Sequence, residues 1–256
     1  MRLWKNSAIM LAGWLAPLAA LAEVKLEVRL DNDAVLQYES AYVFVGVMND
    51  TDLALDAQAE DPMKPEFRFV IEKRADEPLP LVNKTPLVTK LRIRPSETKQ
   101  FVIDLAAFYD LTGEGKYSMH LELVWRGRLY KSNTQLLDVV PGVEILHVNK
   151  SLLGYEDRVR TYSVRYWTRK GAEYLFLRVD DKENGMNYGV FQLGSLNRFT
   201  KPTIDVDRLG NVTVVHQASA ECFMKSSLKA FRDRVEFTGQ TLQQQNGNPY
   251  PYTTPR

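Results

Sequence analysis

Apolar and polar residues alternate along most of the chain, in short runs broken by turn-forming residues. Val24, Leu26, Val28 and Leu30 are separated by Lys25, Glu27 and Arg29. This period of two marks a strand with one buried face. The same reading predicts strands over 42–48, 67–71, 87–93, 101–103, 117–125 and 129–140, punctuated by Pro62, Pro65, Pro78, Pro80, Pro86, Pro95, Gly113 and Gly115. Only residues 104–111 have a helical texture, for two turns at most. Pro141-Gly142 closes this half, and 143–157 reads as a linker without strong periodicity. Further strands are predicted over 159–168, 172–179, 188–193, 203–206, 212–217, 222–228 and 235–242. Asn184-Gly185 and the stretch from Asp207 to Asn211 supply turn chemistry between them.

One stretch sharpens the reading of the first half. Gly113-Glu114-Gly115-Lys116-Tyr117-Ser118-Met119 resembles the turn entering the sixth strand of immunoglobulin-like domains. There a tyrosine hydroxyl bonds back to the loop backbone and locks the corner. Gly115 and Tyr117 fit the pattern, whereas Gly113 replaces the usual acid and Met119 stands where a disulfide cysteine would be. The resemblance implies an immunoglobulin-like or fibronectin-like β-sandwich over 23–142. For such exported bacterial domains it implies adhesion, spacer, assembly or ligand-presenting roles, without selecting among them. In the second half, the run from Ile204 to Val214 is similar to a β-propeller hairpin. A propeller needs about four blades of four strands, more than this length can hold. The expected fold is therefore all-β: an immunoglobulin-like β-sandwich, then a second small β-domain over 143–242, as a sandwich or partial barrel.

Composition adds a compartment. The chain has 256 residues, 33 basic and 32 acidic, with one cysteine. Near-neutral charge speaks against a dedicated nucleic-acid binder. Met1 to Asn6 carries Arg2 and Lys5, an apolar stretch follows, and Ala20-Leu21-Ala22 precedes Glu23. That layout is a secretory leader over 1–22, cleaved between Ala22 and Glu23. The apolar stretch is shorter than the ~20 residues of a membrane span, and no later segment approaches that length. The expected product is an exported, periplasmic or secreted, bacterial protein without a membrane span. Losing Arg2 and Lys5 turns the formal net charge of +1 faintly acidic. Cys222 then becomes a lone thiol in an oxidising compartment, either a small buried strand residue or half of an intermolecular disulfide. Residues 243–256, polar and rich in Pro and Tyr, read as a flexible tail.

Candidate chemistry is sparse. His120, His147 and His216 sit far apart, without the close spacing of a metal site. Gly194-Ser195-Leu196 is not a hydrolase elbow, and no phosphate or dinucleotide loop is present. No catalytic, cofactor-binding or metal-ligating set is expected. Asp180-Asp181-Lys182-Glu183-Asn184-Gly185 reads as a solvated hairpin or a weak Ca²⁺ site, and Asp205 with Asp207 as a carboxylate pair or as caps of backbone groups. Aromatic and basic residues do gather on two neighbouring strands: Arg160, Tyr162, Arg165, Tyr166, Trp167, Arg169 and Tyr174. Exposed rings beside arginines suit a protein or glycan partner. The leading expectation is a non-catalytic envelope protein acting in assembly or adhesion through protein contacts. The alternatives are a carbohydrate-binding module using these aromatics, and a secreted hydrolase or protease inhibitor.

Overall fold

The computed structural model describes residues 23–249 apart from 61, 74–77 and 182. The expected leader at 1–22, residues 250–256 of the expected tail and Lys182 of the acidic hairpin lie outside the described residues. Every long element is a strand, and the fold is all-β. No helix among the described residues is long and apolar enough to cross a membrane.

The first half runs β1 (Val24–Leu30), β2 (Ala34–Leu36), β3 (Tyr42–Asn49), β4 (Leu55–Asp56), β5 (Glu66–Glu72), β6 (Arg92–Ile93) and β7 (Glu97–Asp104). A 3-10 turn, Leu105–Ala107, leads to β8 (Gly115–Trp125), β9 (Arg128–Lys131) and β10 (Gln135–Val140). Strands β1-β3-β7 form one sheet and β2-β10-β8-β5 another, with β9 also paired to β8 and a small β4-β6 ladder beside them. All neighbours are antiparallel except β2, which leaves the first sheet's edge and runs parallel to β10. The alternation explains this arrangement. Val24, Val28, Val43, Val45 and Val47 of one sheet share a single apolar cluster with Phe69, Ile71, Tyr117, Met119, Leu121 and Leu123 of the other. Burying each such side chain contributes about 1.5–3 kcal/mol.

Polar side chains lock the rims of that cluster. The Asn133 amide mimics a peptide unit, donating to Val28 O and accepting from Val28 N, both at 2.9 Å. Tyr109, buried, donates to Phe69 O at 2.8 Å and accepts from Phe69 N at 3.1 Å. The Tyr117 hydroxyl donates to Gly113 O, the corner bond expected of that motif. Asn49 is fully buried and donates to the carbonyls of Leu53 and Ile93 at 2.7 and 3.2 Å.

Three expectations for this half change, the first being the strand over 129–140, which is interrupted at 132–134 and so divides into β9 and β10. The strand expected over 87–93 reduces to Arg92–Ile93. Leu87, Val88 and Leu91 pack on the core from an irregular loop, so their apolar character reflects burial without a ladder. The helical texture at 104–111 reduces to the 3-10 turn, where Asp104 accepts from Ala106 N at 3.1 Å.

Residues 143–243 form two four-stranded antiparallel meanders. The first comprises β11 (Val143–Leu152), β12 (Tyr155–Arg169), β13 (Ala172–Asp181) and β14 (Met186–Ser195). The second comprises β15 (Thr203–Val206), β16 (Asn211–Gln217), β17 (Phe223–Ala230) and β18 (Val235–Gln243). Tyr162, Val164, Leu175, Leu177, Val179 and Leu193 of the first share an apolar cluster with Val212, Val214 and Leu228 of the second. The stretch expected as a linker is thus mostly the edge strand β11. Gly142, with φ +67°, turns the chain from β10 into it, and a Cβ there would meet Leu36 at 2.8 Å.

Candidate functional site

The seven residues singled out in the sequence lie on β12 and β13, on opposite faces. A strand turns successive side chains to opposite sides. Arg160, Tyr162 and Tyr166 face the apolar cluster, with Tyr162 fully buried. Arg198, paired with Glu173, stacks 4.1 Å above the Tyr166 ring. Arg165, Trp167 and Arg169 face the other way, and Tyr174 stands directly across from Trp167 on β13.

That second face is largely occupied by the first half of the chain. The turn after β2 brings Gln37, Tyr38 and Glu39 against it. Arg169 holds both carboxylate oxygens of Glu39, one at 2.9 Å, while its guanidinium lies 4.9 Å from the Phe176 ring centre. Arg178 donates to Gln37 Oε1 at 2.9 Å and stacks 4.6 Å from the Tyr38 ring. Arg165 donates to Pro141 O at 2.9 Å and pairs with Glu144 at 2.8 Å. Lys170 reaches Asp31 O at 3.1 Å. Much of the local basic cluster therefore joins the two halves of the molecule.

The remaining candidates are dispersed. His120 contacts Glu122 at 3.3 Å and His147 contacts Glu144 at 2.7 Å. Asp180 is engaged by Arg178 and Asn187, and Asp181 by Asn184. Asp207 accepts from the backbone and side chain of Asn211, at 2.8 and 2.6 Å, in a capping role that holds its pKa down. Cys222 is a free, half-buried thiol. Burial opposes ionisation of Glu122, yet bonds from Lys131, Arg68 and His120 outweigh it and bring its pKa to about 2. These side chains meet across β5, β8 and β9 because Arg68, Glu122 and Lys131 are in direct register.

His216 is the histidine with a distinct environment. It is buried on β16, its Nε2 3.1 Å from Ser195 O. Burial lowers its pKa to about 4 from 6.5, against the opposing bond to Ser195. The native state thus takes up its proton later than the unfolded chain as pH falls. His216's contribution is intact above about pH 6.5 and is lost as pH drops toward 4. Between pH 7 and 5 the expected loss is about 2 kcal/mol. Urea unfolding of the parent and of His216→Leu at both pH values measures it as the difference between the two pH dependences.

Two features escaped the sequence. A cleft of about 430 Å³ lies at the β8–β9 hairpin, lined by Thr51, Asp52, Leu53, Trp125, Arg126, Arg128 and Tyr130. Its parts come from two turns distant in sequence. The other is an apolar stripe on the outward face of β1-β3-β7. Tyr42, Phe44 and Met48 project from β3, and Val102 of β7 lies directly opposite Phe44. Arg29 of β1 stacks 4.6 Å from the Phe44 ring centre. Tyr42 and Val102 are 48% and 52% exposed.

No family model matches the chain, and no curated protein matches it. Among solved structures, a β-glucosidase from Listeria innocua in complex with isofagomine is similar over 47% of this chain, at 13% identity and a TM-score of 0.28. That match spans 16% of the glucosidase. Spo0M, a sporulation control protein from Bacillus subtilis, is similar over 64% of this chain and 82% of its own, at 13% identity and a TM-score of 0.29. Likenesses this slight carry no functional argument.

Proposed function

We propose that the protein is an exported envelope component that acts in assembly or adhesion through protein contacts, without catalysis of its own. In this reading residues 23–142 are an immunoglobulin-like β-sandwich and the two meanders a second β-domain. The parallel pairing of β2 with β10 and the Tyr117 corner bond support the first assignment. The leader pattern at 1–22 supports export.

The observation that carries the contact role is the stripe of Tyr42, Phe44, Met48 and Val102. Its alternation puts large apolar groups on the solvent side of a sheet whose other side already fills the core. Large apolar side chains exposed on a sheet face and rimmed by charge are a mark of protein docking. Lys25, Glu27 and Arg29 on β1 supply the rim.

The test is photocrosslinking in intact cells of the source organism, with the reactive side chain at Phe44 or Val102 and a control at Lys225. One discrete protein adduct from both stripe positions, absent from the control, is expected. With the reactive side chain kept at Phe44, Val102→Asp should reduce that adduct about tenfold, the effect of roughly 1.4 kcal/mol of lost contact. No adduct above the control, or recovery of the uncleaved chain in the cytoplasm, overturns the proposal.

A further inference from the structure

Arg160 is buried among apolar residues without a carboxylate partner. It is 2% exposed and ranks with the largest fully buried side chains of the protein. One of its nitrogens, Nη2, donates to Arg232 O at 2.6 Å, and its guanidinium lies 3.9 Å from the centre of the Tyr188 ring. No acidic side chain among the described residues forms an ion pair with it. The other nitrogen, Nη1, is buried without a hydrogen-bond partner, and the hydroxyls of Tyr162 and Tyr188 share that condition. The three groups are neighbours. Tyr162 follows Arg160 by two positions on one face of β12, and Tyr188 stacks on the guanidinium from β14.

The chemistry of this trio is one-sided. A guanidinium N–H only donates; the Tyr162 phenol oxygen can accept one such bond from Arg160, but each phenol still has an O–H to give, so donors outnumber acceptors. Leaving a positive charge without a counter-charge and the surplus donors unpaired in an apolar interior costs several kcal/mol. A single small anion accepts from all three and neutralises the charge. A water molecule satisfies hydrogen bonds but leaves the charge uncompensated. We propose that Arg160, Tyr162 and Tyr188 form a buried binding site for a small monovalent anion, chloride or a carboxylate no larger than acetate. The size limit follows from enclosure, since each of the three free polar atoms is shut off from solvent. Arg232, exposed at the β17–β18 turn with its guanidinium 5.3 Å from the Tyr155 ring, supplies the carbonyl that Arg160 Nη2 meets. The site is independent of the proposed protein contact, which uses the opposite half of the chain.

The experiment is thermal unfolding of the full chain at fixed ionic strength, with sodium gluconate replaced stepwise by chloride or by acetate. A ligand that binds only the folded state raises the melting temperature with its concentration. A saturable rise of about 3 °C or more is expected, in the arm that matches the anion. In Tyr162→Phe/Tyr188→Phe, which keeps both rings and the stack, the rise should fall to less than a third. Arg160→Met should abolish it, and the double variant serves if that protein fails to fold. Equal melting temperatures in all three salts, the result for a site holding water only, overturn the proposal. So does a rise undiminished in the double phenylalanine variant, which would place the anion elsewhere.

Discussion

Replacing Glu39 with alanine is expected to destabilise the protein by about 3–5 kcal/mol, the usual consequence of removing one member of a buried ion pair. Arg169 and Glu39 side chains are only 8% and 15% exposed. Without the carboxylate, the guanidinium stays trapped over Phe176 with Gln192 Oε1, at 3.4 Å, as its remaining acceptor. The loss is compounded locally, because Glu39 Oε2 also accepts from Leu36 N at 2.8 Å and so shapes the turn that makes the contact. Glu39→Gln keeps an acceptor for Leu36 and discards the charge, so it should cost less than alanine. Adding Arg169→Met to Glu39→Ala should recover much of the loss, since no buried charge is then left unpaired. Urea unfolding of the parent, Glu39→Ala, Arg169→Met and the double variant measures the cycle. A cost below about 1 kcal/mol for Glu39→Ala would mean that water reaches the pair and that it behaves as a surface bridge. Tryptophan fluorescence adds a second readout, because Trp125 belongs to one half and Trp167 to the other. Loosening the joint should let the two halves unfold in separate steps, where the parent shows one.

This joint shows where sequence reading stops. Strand content was legible wherever one face of a strand is buried and the other wet, as in β1, β3 and β8. It failed for β11, which is an edge strand with a bulge between Glu144 and Leu146. An extra residue in a strand shifts the parity of everything after it, so the alternation is scrambled although the pairing persists. Over 87–93 the opposite error arose, because apolar residues can line a core from a loop. In the candidate site, the aromatic and basic content of β12 and β13 was visible, and strand periodicity alone places Arg160 and Trp167 on opposite faces. What each face meets was not visible. Glu39 lies 130 positions from Arg169, and Tyr188 reaches Arg160 from another strand. A charged residue next to charged neighbours reads as a solvated surface, and only the three-dimensional arrangement reveals Arg160 as interior.

Gly210→Ala is expected to cost about 4 kcal/mol, more than backbone conformation alone explains. Gly210 closes the turn between β15 and β16 with φ +81°, a region that costs a residue with a Cβ about 1–2 kcal/mol. The turn is also pressed against the end of β17. Gly210 O accepts from Ala230 N at 2.7 Å, and Lys229 Nζ donates to Leu209 O at 2.7 Å. A Cβ on residue 210 would collide with the carbonyl oxygen of Ala230 and approach Leu152 Cδ2 at 3.0 Å. Both are hard to move. Ala230 is buried and paired with Val235 across β17 and β18, and all three residues belong to the second apolar cluster. Relief of the clash must therefore displace the turn from the core or break the bond to Ala230. Gly171, in the turn between β12 and β13, is the matched control. Its φ of +80° is nearly the same, and a Cβ there would meet nothing within 4 Å. Gly171→Ala should accordingly cost only the dihedral part. The difference between the two variants in urea unfolding isolates the collision. If they cost the same, the β15–β16 turn yields freely at Ala230, and the second meander is held by its strand pairing and apolar face alone.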